Sequence, residues 1–370
     1  MPTLDSKVAQ QYVGRIRNLV FEGGGVWGIA YEGALLELEQ LGIMAHVKRV
    51  GGASAGAITA AMLAVGYTPA ELGQVLRATN FKSFMDDQLG YARDTARLLT
   101  EFGWYQGDAF KEWMRQRIAK KTAEISARAG VEAPGNKPRL GELAEWRAAL
   151  AKKGVMLPEP YVIGSNLSQQ RREVYSAEST PQLRLEEAVR RSMSIPLFFA
   201  CARGAEHDNR RDVIVDGGLT WNYPLNLFDA PQFLHDEDNG VATVYATSDD
   251  HIFNTETLGF RVDTTKELAA NLKDWSNEPA KVDNIVNYAW ALVTFIRAIA
   301  NKVHLHQNDW ARTIFIDVGE EIGFTDFDLS AKQQQFLSDQ GRQGVRNYFE
   351  WLTSAKGQKE VEAILASIRA

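Results

Sequence analysis

Asn18–Val65 reads NLVFEGGGVWGIAYEGALLELEQLGIMAHVKRVGGASAGAITAAMLAV, and this stretch decides the fold. It opens on Asn18-Leu-Val-Phe21, a short apolar run of the kind a buried strand needs, and passes directly into Gly23-Gly-Gly-Val-Trp-Gly28. A helix is expected next. Ala30, Ala34, Leu38 and Leu41 fall on one face at helical spacing, and Gly42 ends it. A second strand, Val47–Val50, runs into Gly51-Gly-Ala-Ser-Ala-Gly56, followed by a helix from Ala57 to about Val65. Thr68-Pro-Ala-Glu71 starts a third helix: Thr68 caps it, Pro69 suits its first turn, and Glu71 completes a capping box. Strand, glycine turn and helix, twice over, predict an α/β fold with a mainly parallel sheet sandwiched between helices.

Outward from this block, residues 80–155 are charged and helical in pattern, and read as a helical insertion or cap. Strands resume at Tyr161-Val-Ile-Gly164 and Glu173-Val-Tyr175. A helix over Leu185–Met193 leads to Ser194-Ile-Pro196, and the strand Asp212–Val215 ends at Asp216-Gly-Gly218. Val241–Thr247 and Arg312–Val318 are the last strands expected. A long helix from about Pro279 to His304 lies between them, and two helices follow. The reading is one domain over residues 1–370, with its motifs within 18–224 and a mainly helical part over 279–370.

Composition narrows the function. The chain has 370 residues, 45% hydrophobic and 24% charged, an ordinary globular mix able to bury a core without staples. Its one cysteine, Cys201, excludes an internal disulfide and a cysteine-rich zinc module. A net charge of −6 argues against a general nucleic-acid binder. The N-terminal stretch has no apolar core like that of a signal peptide, and no run reaches the ~18 apolar residues that span a bilayer. The expectation is a soluble, cytoplasmic protein whose membrane contact, if any, is peripheral.

Gly52-Ala-Ser54-Ala-Gly56 lies between an apolar strand and an Ala-rich helix, the setting of a nucleophile elbow. The flanking Gly52 and Gly56 let neighbouring backbones approach, and the helix start directs free N–H groups at the serine. The bland alternative is a tight strand-to-helix turn. Gly23-Gly-Gly-Val-Trp-Gly28 fits G-x-G-x-x-G, but residues 40–50 lack the acidic residue a dinucleotide site needs at the next strand. Its three consecutive glycines expose several backbone N–H groups at a helix start, which suit an oxyanion as well as a phosphate. Asp216-Gly217-Gly218 after Val213–Val215 could hold a carboxylate at the end of a buried strand, or be a plain turn.

Together Gly23–Gly28, Gly52–Gly56, Ser192-Met-Ser-Ile-Pro196 and Asp216-Gly-Gly218 followed by Asn222-Tyr-Pro224 resemble, in order and spacing, the patatin-like phospholipases. The resemblance runs from about Asn18 to Pro224 and continues weakly to Thr325-Asp-Phe-Asp-Leu-Ser330. It implies a metal-free, cofactor-free hydrolysis of acyl esters in phospholipids, lysophospholipids or neutral lipids. Ser54 would be the nucleophile, Asp216 its base, and Gly23, Gly24, Gly25 and Val26 the oxyanion loop; Gly28, Gly52, Gly56, Gly217 and Gly218 are motif glycines. Many members carry Arg or Lys where this chain has Trp27. The chemistry is consistent: serine needs an adjacent base, and a carboxylate with a pKa of ~4 becomes a better one when desolvated.

Two other classes fit the same residues: an idle lipid-binding or adaptor protein, and a soluble carboxylesterase using the same dyad. A Ser-Asp-His triad could formally be closed by His235, His251, His304 or His306, but none lies in a Gly- or Ser-flanked loop motif. No metal site is expected. Phe110, Trp113, Met114 and Ile118 form one face of a helix from Asp108 to Lys121, surrounded by Lys111, Arg115, Arg117, Lys120 and Lys121. It could rest on anionic lipid, though packing on the core is the plainer reading. The stripe Val282, Ile285, Val286, Ala289, Leu292, Val293, Ile296 reads as a core helix.

Overall fold

The computed structural model describes residues 14–84, 100–204, 212–234, 244–246, 252–270, 308–324 and 326–369, with isolated positions between 282 and 299. Among the described residues eight strands make the central sheet: β1 Asn18–Phe21, β2 Arg49–Ala53, β3 Glu159–Asn166, β4 Arg171–Tyr175, β5 Ala202–Arg203, β6 Val213–Asp216, β7 Thr257–Asp263 and β8 Thr313–Asp317. The order is β8-β7-β1-β2-β3-β6-β5, with β4 on the other edge of β3. The pairs from β8 to β3 are parallel, and those made by β4, β5 and β6 are antiparallel. The expected mainly parallel α/β sheet is therefore present.

Alternation within β1 divides the core. Leu19 and Phe21 join the main apolar cluster, while Val20 packs with Tyr161, Tyr223 and Phe228 on the other face. On the first face lie α1 (Ala30–Gln40), α2 (Ala55–Ala64) and α3 (Pro69–Arg77), and Thr68 and Glu71 form the expected capping box. β2 extends past the expected Val50 through both glycines to Ala53, and α2 starts at Ala55 rather than Ala57. The ladders to β1 and β3 carry those glycines. The strand β7 was not expected. Its polar residues masked the pattern, because Arg261 and Asp263 are buried and pair with each other at 2.7 Å.

Within 80–155, α4 (Asp108–Ala129) and α5 (Leu140–Ala151) are helical as expected. Gly103–Tyr105 is an unforeseen short strand, paired parallel to Leu197–Phe199. Phe110, Met114 and Ile118 are wholly buried in the main cluster. Three residues of the basic face of α4 are tied to protein carboxylates: Lys111 pairs with Glu187 at 3.1 Å, Arg115 with Glu112, and buried Lys121 with Glu71 at 2.7 Å. The core-packing reading holds for this helix. Further along come α6 (Leu185–Ser192), α7 (Ala331–Thr353) and α8 (Ala355–Arg369). Of the expected strand 241–247 only Val244–Ala246 is described, and it pairs with Ile252–Asn254.

Most of the expected core helix over 279–304 lies outside the described residues. Where it is described, Val282, Tyr288, Leu292, Phe295 and Ile299 are exposed, Phe295 by 60%, so these side chains do not form core.

Candidate active site

β2 and β6 share one edge of β3. Ala53 stands opposite Ile163, and Asp216 stands opposite the next residue, Gly164. The two strands run in opposite directions and stop at adjacent positions, so the turn at Ser54 faces the turn at Gly217. Ser54 is buried and holds φ 51° and ψ −120°, a conformation that a side-chain-bearing residue keeps only under constraint. Gly52 is required by the turn. A Cβ there would lie 2.5 Å from the carbonyl carbon of Gly56 and 2.9 Å from the Phe21 oxygen. Gly56 in turn lies against the Phe21 and Glu22 carbonyls.

Asp216 is buried, and its Oδ1 accepts the Gly218 N–H at 2.7 Å. Its own N–H donates to the Ser194 carbonyl at 2.9 Å, and the Gly217 N–H to the Ser192 carbonyl at 3.1 Å. The Ser192 hydroxyl accepts the Ser54 N–H at 2.9 Å. Arg190 braces this segment by donating to Ser194 Oγ at 2.6 Å and to the carbonyls of Gln106 and Ala200.

The glycine loop is the third wall. A Cβ on Gly23 would be 3.2 Å from that of Ser54, and one on Gly28 would be 2.9 Å from that of Ala55. The Gly23 N–H donates to the Asn222 carbonyl at 3.0 Å, and the Val26 N–H to the Phe324 carbonyl at 3.1 Å. Two of the four expected donors are thus committed to protein acceptors. Gly24 packs on Val262, and Gly25 takes a left-handed φ of 54°. Trp27 is buried, donates Nε1 to the Ile322 carbonyl at 2.8 Å and meets the Phe324 ring edge-on. In place of a cation it gives the loop an anchor to the segment that follows β8.

Glu22 carried no sequence expectation, and Asn222 entered only as part of the Asn222-Tyr-Pro224 motif, with no role assigned to it. Glu22, wholly buried, accepts from Asn222 Nδ2 at 2.8 Å and from the Val262 N–H at 2.9 Å. The Asn222 amide oxygen lies close to both Gly23 and Gly218, so this pair links the glycine loop to the aspartate turn. An acid directly after a buried strand and an asparagine six residues after Asp216 were the available signals. His207, His235, His251, His304 and His306 lie outside the described residues.

Residues 19–229 match the family model described as patatin-like phospholipase. The chain belongs to the patatin-like phospholipase family. The family is one of lipid hydrolases. An uncharacterized protein of Acanthamoeba polyphaga mimivirus is 24% identical over 90% of this chain and 93% of its own length. A probable lipid hydrolase of Invertebrate iridescent virus 6 is 23% identical over 57% of this chain, which spans 62% of that protein's length. The crystal structure of VipD from Legionella pneumophila is similar over 96% of this chain and 74% of that one, with TM-score 0.59 at 17% identity. That likeness shows the fold, a central sheet flanked by helices.

Proposed function

We propose that the protein hydrolyses acyl esters of phospholipids or lysophospholipids through an acyl-enzyme on Ser54, with Asp216 as general base. The observation that carries this reading is the abutment of β2 and β6 on one edge of β3, which sets Ser54 and Asp216 on facing turns. Ser54 Oγ attacks the ester carbonyl carbon while its proton passes to Asp216. The electron pair of the carbonyl moves to oxygen, and the amides of Gly24 and Gly25, which meet no backbone acceptor among the described residues, receive it beside the committed Gly23 and Val26. Collapse of the tetrahedral species expels the alcohol, which takes the proton from Asp216. Water then repeats the sequence on the acyl-enzyme, releasing fatty acid and restoring Ser54. No step calls on a metal or cofactor.

Such a substrate is met at a bilayer or micelle surface. Among the described residues no helix is long and apolar enough to cross a membrane. We propose in addition that the protein works in the cytoplasm and touches lipid peripherally. Incubating the protein with mixed phospholipid vesicles and analysing released lipids tests the hydrolysis. Fatty acid and lysolipid should appear with wild type and vanish with Ser54→Ala. Equal release by both would refute the assignment.

A further inference from the structure

We infer that Ser192 is a positioning residue that fixes the separation of the nucleophile and base turns. The inference rests on the Ser54–Asp216 reading above. β2 and β6 each bond to β3, and they meet end to end rather than side by side, so no ladder between them sets their spacing. Ser192 supplies the link from one residue. Its hydroxyl takes the Ser54 N–H at 2.9 Å, and its carbonyl takes the Gly217 N–H at 3.1 Å. The residue is wholly buried and is the last of α6.

Both bonds use groups that helix ends leave over. The Ser192 carbonyl belongs to the final turn of α6, and the Ser54 amide to the start of α2. The side-chain bond also holds Ser54 in its costly backbone conformation. It occupies the Ser54 amide, so that amide is not offered to an oxyanion. Two residues on, the Ser194 carbonyl takes the Asp216 N–H, and Arg190 clamps the same turn to Gln106 and Ala200. The C-terminal turn of α6 is thus a bracket for both halves of the dyad.

The test uses the full chain and Ser192→Ala, with Ser126→Ala as the control for loss of a buried hydroxyl bond. Ser126 Oγ accepts from Trp146 Nε1 at 2.8 Å, within the α4–α5 layer. Kinetics on a fluorogenic acyl ester, the rate of fluorophosphonate labelling at Ser54 and thermal melting are compared. Ser192→Ala should lower kcat and labelling roughly 10–100-fold, the scale of one orphaned buried N–H. KM should stay within about twofold and melting should resemble that of Ser126→Ala. Activity retained to within about threefold, or a loss that tracks a fallen melting temperature, overturns the inference. Turnover or labelling that survives Ser54→Ala is a separate outcome: it removes the dyad reading itself, and the role of Ser192 with it.

Discussion

Gly52→Ala is the most direct probe of how the elbow is built. The new Cβ would stand 2.5 Å from the Gly56 carbonyl carbon, 2.6 Å from its oxygen and 2.9 Å from the Phe21 oxygen. All three are backbone atoms, so no side chain can rotate away. An ordinary carbon contact is about 3.5 Å, so α2 must retreat from β2 by roughly 1 Å. Overpacking a tight core costs about 1–3 kcal/mol, and with backbone on every side the upper value applies. In a chain of this length about 3 kcal/mol lowers Tm by roughly 4 °C. A shift of ~1 Å at the residue before the Ala53–Ser54 step should also slow turnover about 100-fold. Gly130→Ala is the comparison, because Gly130 has φ 64° with nothing within 4 Å of an added Cβ. It should cost only the left-handed backbone penalty of about 1–2 kcal/mol and leave turnover unchanged. Calorimetry and ester hydrolysis on both variants give the answer. A Gly52→Ala protein that melts and turns over like wild type would refute the close β2–α2 packing and the strained elbow derived from it.

Asp216→Asn should reduce kcat by about 10³-fold or more at unchanged KM, while Gln at His235, His251, His304 or His306 should each leave kcat/KM within about tenfold; a loss of ~10⁴ at one histidine would convert the dyad into a triad. Trp27→Phe keeps a ring beside Phe324 but orphans the Ile322 carbonyl, so stability should fall by about 1 kcal/mol and amide exchange near Ile322–Phe324 should accelerate in mass-spectrometric measurements. Burial raises the Glu186 carboxyl above its ordinary range, so the unfolded chain gives up this proton first and stability falls as pH rises through the raised value. Glu186→Gln should therefore raise Tm at pH 8, with the gain disappearing by pH 4 in melting scans.

The residues that sequence alone makes legible are those fixed by local sterics. Ser54 between Gly52 and Gly56, and Asp216 before two glycines, are read from short-range requirements on backbone approach. The capping box at Thr68 is equally local. What escaped depends on contacts far along the chain. Ser192 meets the Ser54 amide across 138 residues, and the Val26 amide is taken by Phe324. Nothing near either residue announces those partners. β7 was hidden because its charged residues neutralise each other inside the core, which polarity along a sequence cannot show. The stripe through Leu292 has the spacing of a core helix, yet Val282 and Leu292 face outward, since periodicity gives a face without saying what covers it.

The proposed chemistry requires that Ser54 become acylated. Mass spectrometry of the intact protein and its peptides, after brief exposure to a fluorophosphonate and in parallel to a slowly hydrolysed acyl ester, tests it most directly. One adduct per chain is expected, carried on the peptide containing Ser54 in both experiments and absent from Ser54→Ala. An adduct on another residue, or esterase activity retained by a protein whose Ser54 is replaced, would contradict it.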